Sequence, residues 1–93
     1  MQIQFEQYGN KGSFFIEENS QRLAEMTFSK TETNVLIIDH TEVSDALRGT
    51  GSGKKLLAEA VKYARVNHLK IMPLCPFAKS VFDKTPDYSD VLL

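Results

Sequence analysis

Apolar and polar residues alternate through the first half of the chain, and the clearest alternation spans residues 22–31. There Ala24, Met26 and Phe28 fall on one side while Glu25, Thr27 and Ser29 fall on the other. A period of two predicts an antiparallel strand with one face buried. Two further strands precede it: a short one carrying Ile3 and Phe5, and an apolar one over residues 13–18. The turn residues Gly9-Asn10-Lys11-Gly12 and Asn19-Ser20-Gln21 close them. Glu32-Thr33-Asn34 makes the next turn. Residues 35–43 then form the strongest strand, because Val35, Leu36, Ile37 and Ile38 run without alternation. An unbroken, branched-rich run predicts burial on both faces, hence a central position.

The second half changes period. Leu57, Ala60, Val61 and Ala64 share one face of a helix that runs to about Asn67, a residue suited to the left-handed C-terminal conformation. A short strand follows over residues 70–75, and Pro73 removes a ladder donor from it, so full pairing on both sides is not expected. Pro76 suits the first position of a second helix carrying Phe77, Val81 and Phe82. Thr85-Pro86 starts a last short turn that buries Tyr88 and either Val91 or Leu92. Four strands, helix, strand, helix describe an α+β fold: an antiparallel meander joined to a parallel strand pair by a helical crossover. With 93 residues and no linker or repeat, the expectation is a minimal single domain over residues 1–93.

Between the strong strand and the first helix lies Leu47-Arg48-Gly49-Thr50-Gly51-Ser52-Gly53-Lys54-Lys55. Glycines at every second position do not belong inside a strand. Strand, glycine loop and helix in that order leave a row of free backbone N–H groups at a helix N-terminus, which is an anion site. Two common phosphate motifs fail. A nucleoside triphosphate loop needs four residues between its first glycine and Gly-Lys, and a hydroxyl where Lys55 stands. The dinucleotide fingerprint places its third glycine one residue later than Gly53 and needs a larger fold.

Charge agrees with an anionic ligand. The net charge is −1, yet residues 1–47 carry eight acids and three bases, whereas residues 48–93 carry eight bases and four acids. The small net charge argues against a general nucleic-acid binder. Lys54 and Lys55 oppose the helix dipole in the first turn, and a bound polyanion offsets that. No apolar run approaches the ~20 residues of a membrane span. The N-terminal residues lack a secretory pattern, and a lone Cys75 forms no internal disulfide, so a cytoplasmic protein is expected. One cysteine and two separated histidines support no metal site.

Arg48-x-x-Gly51-x-Gly53 resembles the pyrophosphate segment of the GNAT acyltransferase superfamily. His40-Thr41-Glu42-Val43, Pro73-Leu74-Cys75-Pro76-Phe77 and Pro86-Asp87-Tyr88 extend the likeness to its small single-domain members, over about residues 5–92. The resemblance implies acetyl-CoA, with pyrophosphate over residues 48–53 and the pantetheine arm between two splayed parallel strands. By the same resemblance the cofactor-binding positions are Val43, Arg48, Gly49, Thr50, Gly51, Ser52, Gly53, Lys54, Lys55, Pro76 and Phe77. It implies acetyl transfer to an amine acceptor. A non-catalytic acyl-CoA-binding or sensing module is the alternative. Val81 and Thr85 depart from the small relatives, which often carry tyrosine and histidine there, and this argues against a C-terminal general acid.

Two residues are candidates for catalysis. Cys75 is expected at the N-cap of the second helix, where the dipole and free N–H groups favour the thiolate form. His40, near the end of the central strand, is expected on the side shared by Leu36 and Ile38. Cys75 and His40 would then both flank the acyl group, supporting an acyl-cysteine step or thiol activation. Otherwise His40 is the base that deprotonates the incoming amine, or a core histidine. His68 is expected to cap the first helix.

Overall fold

A computed structural model describes residues 2–93; Met1, the first residue of the N-terminal stretch read above, lies outside them. Five strands, β1 (Gln4–Tyr8), β2 (Lys11–Glu18), β3 (Gln21–Lys30), β4 (Val35–Val43) and β5 (Lys70–Pro73), form one sheet in sequence order. The first four pair antiparallel. β5 runs parallel to β4, in the register Val35↔Lys70 to Ile38↔Pro73. This is the α+β arrangement expected from the pattern. The β2–β3 turn places Asn19 and Ser20 both at positive φ, 52° and 64°. Such a turn twists with the strands it joins.

Helix α1 (Ser52–Asn67) crosses from β4 to β5 and packs on β2, β3, β4 and β5. Its buried residues Leu56, Leu57, Ala60, Val61 and Ala64 meet Phe14, Ile16, Met26, Phe28, Leu36 and Ile38 of the sheet in one cluster. Helix α2 (Pro76–Lys84) contributes Ala78, Val81 and Phe82 to the same cluster. Each large apolar side chain buried this way stabilises the fold by roughly 1.5–3 kcal/mol.

Four sequence expectations shift in detail. The left-handed residue ending α1 is His68, at φ 56°, rather than Asn67, whose side chain instead donates to the Tyr63 carbonyl at 2.9 Å. β5 stops at Pro73, and Leu74 is exposed, because the chain turns away into α2. Tyr88, expected to be buried, is half-buried against the core, and of the pair Val91 and Leu92 it is Val91 that is buried. In β4, Leu36 and Ile38 are buried but Val35 and Ile37 are only half-buried. Both helices share the core on the opposite face, so the Ile37 side lacks a full apolar cover.

β4 also carries a bulge. Its register against β3 passes from Phe28↔Ile38 to Thr27↔His40, so Asp39 has no partner of its own. A bulge adds one residue and reverses the facing of everything beyond it. This re-phasing decides the geometry of the site.

Candidate functional site

Three segments converge where β4 and β5 part. Pairing between them ends at Ile38↔Pro73. Beyond that point the amides of Leu74 and Cys75 both donate to the Ile38 carbonyl, at 3.0 and 3.3 Å. β4 then runs on to Val43 paired only with β3. A wedge therefore opens between the two parallel strands, with Cys75 at its vertex. Pro73, which cannot donate to a ladder, is the last residue of β5 before the opening.

Cys75 is the N-cap of α2, with Pro76 in the first turn. Its Sγ accepts from the Ala78 amide at 3.3 Å and lies 3.3 Å from Thr41 Oγ1. The thiol is buried, at 5% exposure, and free. Thr41 reaches it because of the bulge: opposite Met26, it points to the core side of the sheet.

The same bulge overturns the expected Cys75–His40 pair. His40 stands opposite Thr27 on the outer face, with its side chain 72% exposed and its Nε2 3.7 Å from Glu42 Oε1. It does not share the side of Leu36 and Ile38, and Thr41 occupies the place expected for it. The sequence held one signal of this. Asp39-His40 puts two polar residues in succession where strict alternation would place one, which is how a bulge reads in a strand.

The glycine loop lies at the other end of the wedge. After a 3-10 turn at Asp45–Leu47, Gly49 and Gly51 take positive φ, 81° and 77°. Gly51 caps α1 with no side chain to accept from the first turn. Among the described residues the N–H groups of Gly49, Gly51, Ser52, Gly53 and Lys54 find no acceptor. The Thr50 hydroxyl donates to the Leu47 carbonyl at 2.5 Å and accepts from the buried Ser52 hydroxyl at 2.6 Å, which fixes the loop from within. Gly53 is buried against the ring of Phe77. Arg48 is 80% exposed, and its guanidinium pairs with Asp45 Oδ1 at 2.7 Å. Lys54 and Lys55 are exposed, and Val43 is half-buried two residues before the 3-10 turn. Free donors, an uncapped helix N-terminus and three cations fit a pyrophosphate. Asp45, the partner of Arg48, was not singled out by the sequence pattern.

No group of three or more histidine, cysteine, aspartate or glutamate side chains that could hold a metal occurs among the described residues.

Residues 13–91 match the sequence profile of the GCN5-related N-acetyl-transferase family. The chain belongs to that family. The solution structure of a GCN5-like N-acetyltransferase protein from Staphylococcus aureus is 46% identical, with a TM-score of 0.73 over 97% of this chain and 87% of the other. Two further likenesses show the fold alone. An acetyltransferase from Clostridium acetobutylicum, solved with acetyl-CoA, is 22% identical with a TM-score of 0.64, over 81% of this chain and 56% of that one. A streptothricin acetyltransferase from Bacillus anthracis, in complex with acetyl coenzyme A, is 22% identical with a TM-score of 0.62, over 84% and 47%. No curated protein matches the chain in sequence. No helix of the described residues is long and apolar enough to cross a membrane.

Proposed function

We propose that this protein transfers an acetyl group from acetyl-CoA to an amine, with residues 48–54 as the pyrophosphate cradle. The observation that carries the reading is the set of free N–H groups at the uncapped start of α1, backed by Arg48, Lys54 and Lys55. Acetyl-CoA supplies an activated thioester; the protein's own part is to hold the anion at the loop and the acyl end in the wedge. Val43 ends β4, and Pro76 and Phe77 open α2, positions in keeping with contacts along the pantetheine arm. The family match favours transfer over a purely CoA-binding role.

Of the three readings of His40, partner of Cys75, core histidine and base, its exposure on the outer face is consistent with the base alone. Exposed on the outer face next to the bulge, it can take the proton of an amine arriving from that side, but it does not activate Cys75. Cys75 remains a second route, favoured by the Thr41 and Ala78 contacts to its Sγ. In that route the thiol sulfur bonds to the acetyl carbonyl carbon, the bond between that carbon and the CoA sulfur breaks, and CoA leaves as the thiol, carrying the cysteine proton. The amine nitrogen then bonds to the same carbon, the bond from that carbon to the Cys75 sulfur breaks, and a proton of the amine passes to the sulfur to restore the thiol.

Titration with acetyl-CoA and with CoA, followed by heteronuclear NMR, tests the reading. Shifts centred on Gly49–Lys55 and Cys75 are expected; no binding at millimolar ligand would overturn it. We place the protein in the cytoplasm, where a single buried thiol stays reduced. A net charge of −1 supports no nucleic-acid partner.

A further inference from the structure

Gly53 is the one glycine of the loop whose φ is not positive, so backbone conformation does not explain it. It lies in the first turn of α1, where alanine is the better helix former. What requires glycine here is Phe77. A Cβ on Gly53 would stand 2.7 Å from Phe77 Cζ, closer than real Cβ contacts come, and a tight 3.0 Å from Cε2, so the ring would have to shift. The edge of the ring is therefore seated on the bare Cα of residue 53. Among the described residues no hydrogen bond or ion pair joins α1 to α2; both helices share the apolar cluster, and the ring of Phe77 on Gly53 brings their first turns into direct contact.

The two N-termini carry the two ends of the proposed site. The first turn of α1 presents the free N–H groups, and Cys75 caps α2 at the vertex of the wedge. A single acetyl-CoA molecule reaching from one to the other needs their separation held constant. We infer that Phe77 is a positioning residue: its ring, seated on Gly53, is the spacer that fixes the distance between the phosphate loop and the acyl end of the site. The inference rests on the cofactor reading above and adds a coupling between positions 53 and 77. A ring that merely touched the cofactor would produce no such coupling.

Complementary substitution tests it, with CoA itself as the probe and thermal unfolding as a check on folding. Gly53→Ala drives a methyl into the ring; Phe77→Leu withdraws the ring edge and leaves a gap; the pair together put the methyl into the gap. Each single change is expected to weaken CoA binding about fivefold or more, and the double variant to recover to within about threefold of the parent protein. If Gly53→Ala does not fold, the comparison of Phe77→Leu with the double variant still decides. Tighter binding by the double variant supports the spacer, and equal or weaker binding overturns it. Losses that multiply in the double variant would likewise overturn it and leave Phe77 as a cofactor contact. A parent protein that binds no CoA would instead remove the cofactor reading on which the spacer depends.

Discussion

Thr41 Oγ1 stands 3.3 Å from Cys75 Sγ across the vertex where β4 and β5 separate. The two residues are 34 positions apart and meet only because the bulge at Asp39 turns Thr41 to the core side. A hydroxyl can accept from a thiol and donate to a thiolate, so this contact survives either protonation state of the sulfur.

Thr41→Val should slow acetyl transfer about tenfold, ~1.4 kcal/mol, the size of one hydrogen bond. Thr41→Ser, which keeps the hydroxyl, should stay within about threefold. Transfer rates for both at saturating acetyl-CoA check this. Equal loss in the two would assign Thr41 to packing alone.

Incubation with acetyl-CoA followed by intact-mass measurement reads the covalent route directly. One added acetyl group, absent in Cys75→Ala, is the expected result if the thiol takes part. A parent protein that stays unmodified while still acetylating an amine would establish direct transfer.

Arg48 already has an acidic neighbour, and a phosphate must compete with it. Arg48→Glu should abolish CoA binding. Asp45→Asn should tighten it about two- to fivefold by freeing the guanidinium, in keeping with the ~0–1 kcal/mol of an exposed ion pair. Calorimetric titration at low and high salt distinguishes these outcomes from no effect.

Acid should weaken the outer face first. Glu6 accepts from the Arg22 guanidinium at 2.7 Å, which holds its carboxyl below the ordinary 4.5 against the opposing effect of burial. A depressed carboxyl contributes stability that is complete above that ordinary value and is lost as pH falls through the lower, folded one. Glu6→Gln should therefore lower the melting temperature near neutrality and lower it much less in acid, once the folded carboxyl is protonated. An equal drop at both would mean the charge is not the cause.

Ser20 takes φ 64°, a left-handed conformation that costs a side-chain-bearing residue free energy and glycine almost none. Ser20→Gly should stabilise the protein by about 0.5–1 kcal/mol, or roughly 2–8 °C in melting temperature. CoA affinity should not change: the turn stands at the end of the sheet where the wedge opens, but Ser20 belongs neither to the phosphate loop nor to the β4–β5 pair. Thermal unfolding with and without CoA checks both halves.

Local chemistry alone was enough to read most of this molecule. Alternation at residues 24–29, the helical spacing of Leu57, Ala60, Val61 and Ala64, the glycines of the loop and Pro76 at the start of α2 each act within a few residues. The strand order, the crossover and the place of Cys75 at a helix N-cap follow from them. What the tertiary structure decided was facing and partnership. A period-two pattern assigns a side only while pairing is regular, and one unpaired residue at Asp39 sends His40 outward and Thr41 inward. The burial of β4 on one face depended on which side both helices chose. The seat of Phe77 on Gly53 and the hydroxyl of Thr41 on Cys75 join residues far apart in the chain, and such contacts leave no trace in a local pattern because the sheet and two helices must already be in place to make them.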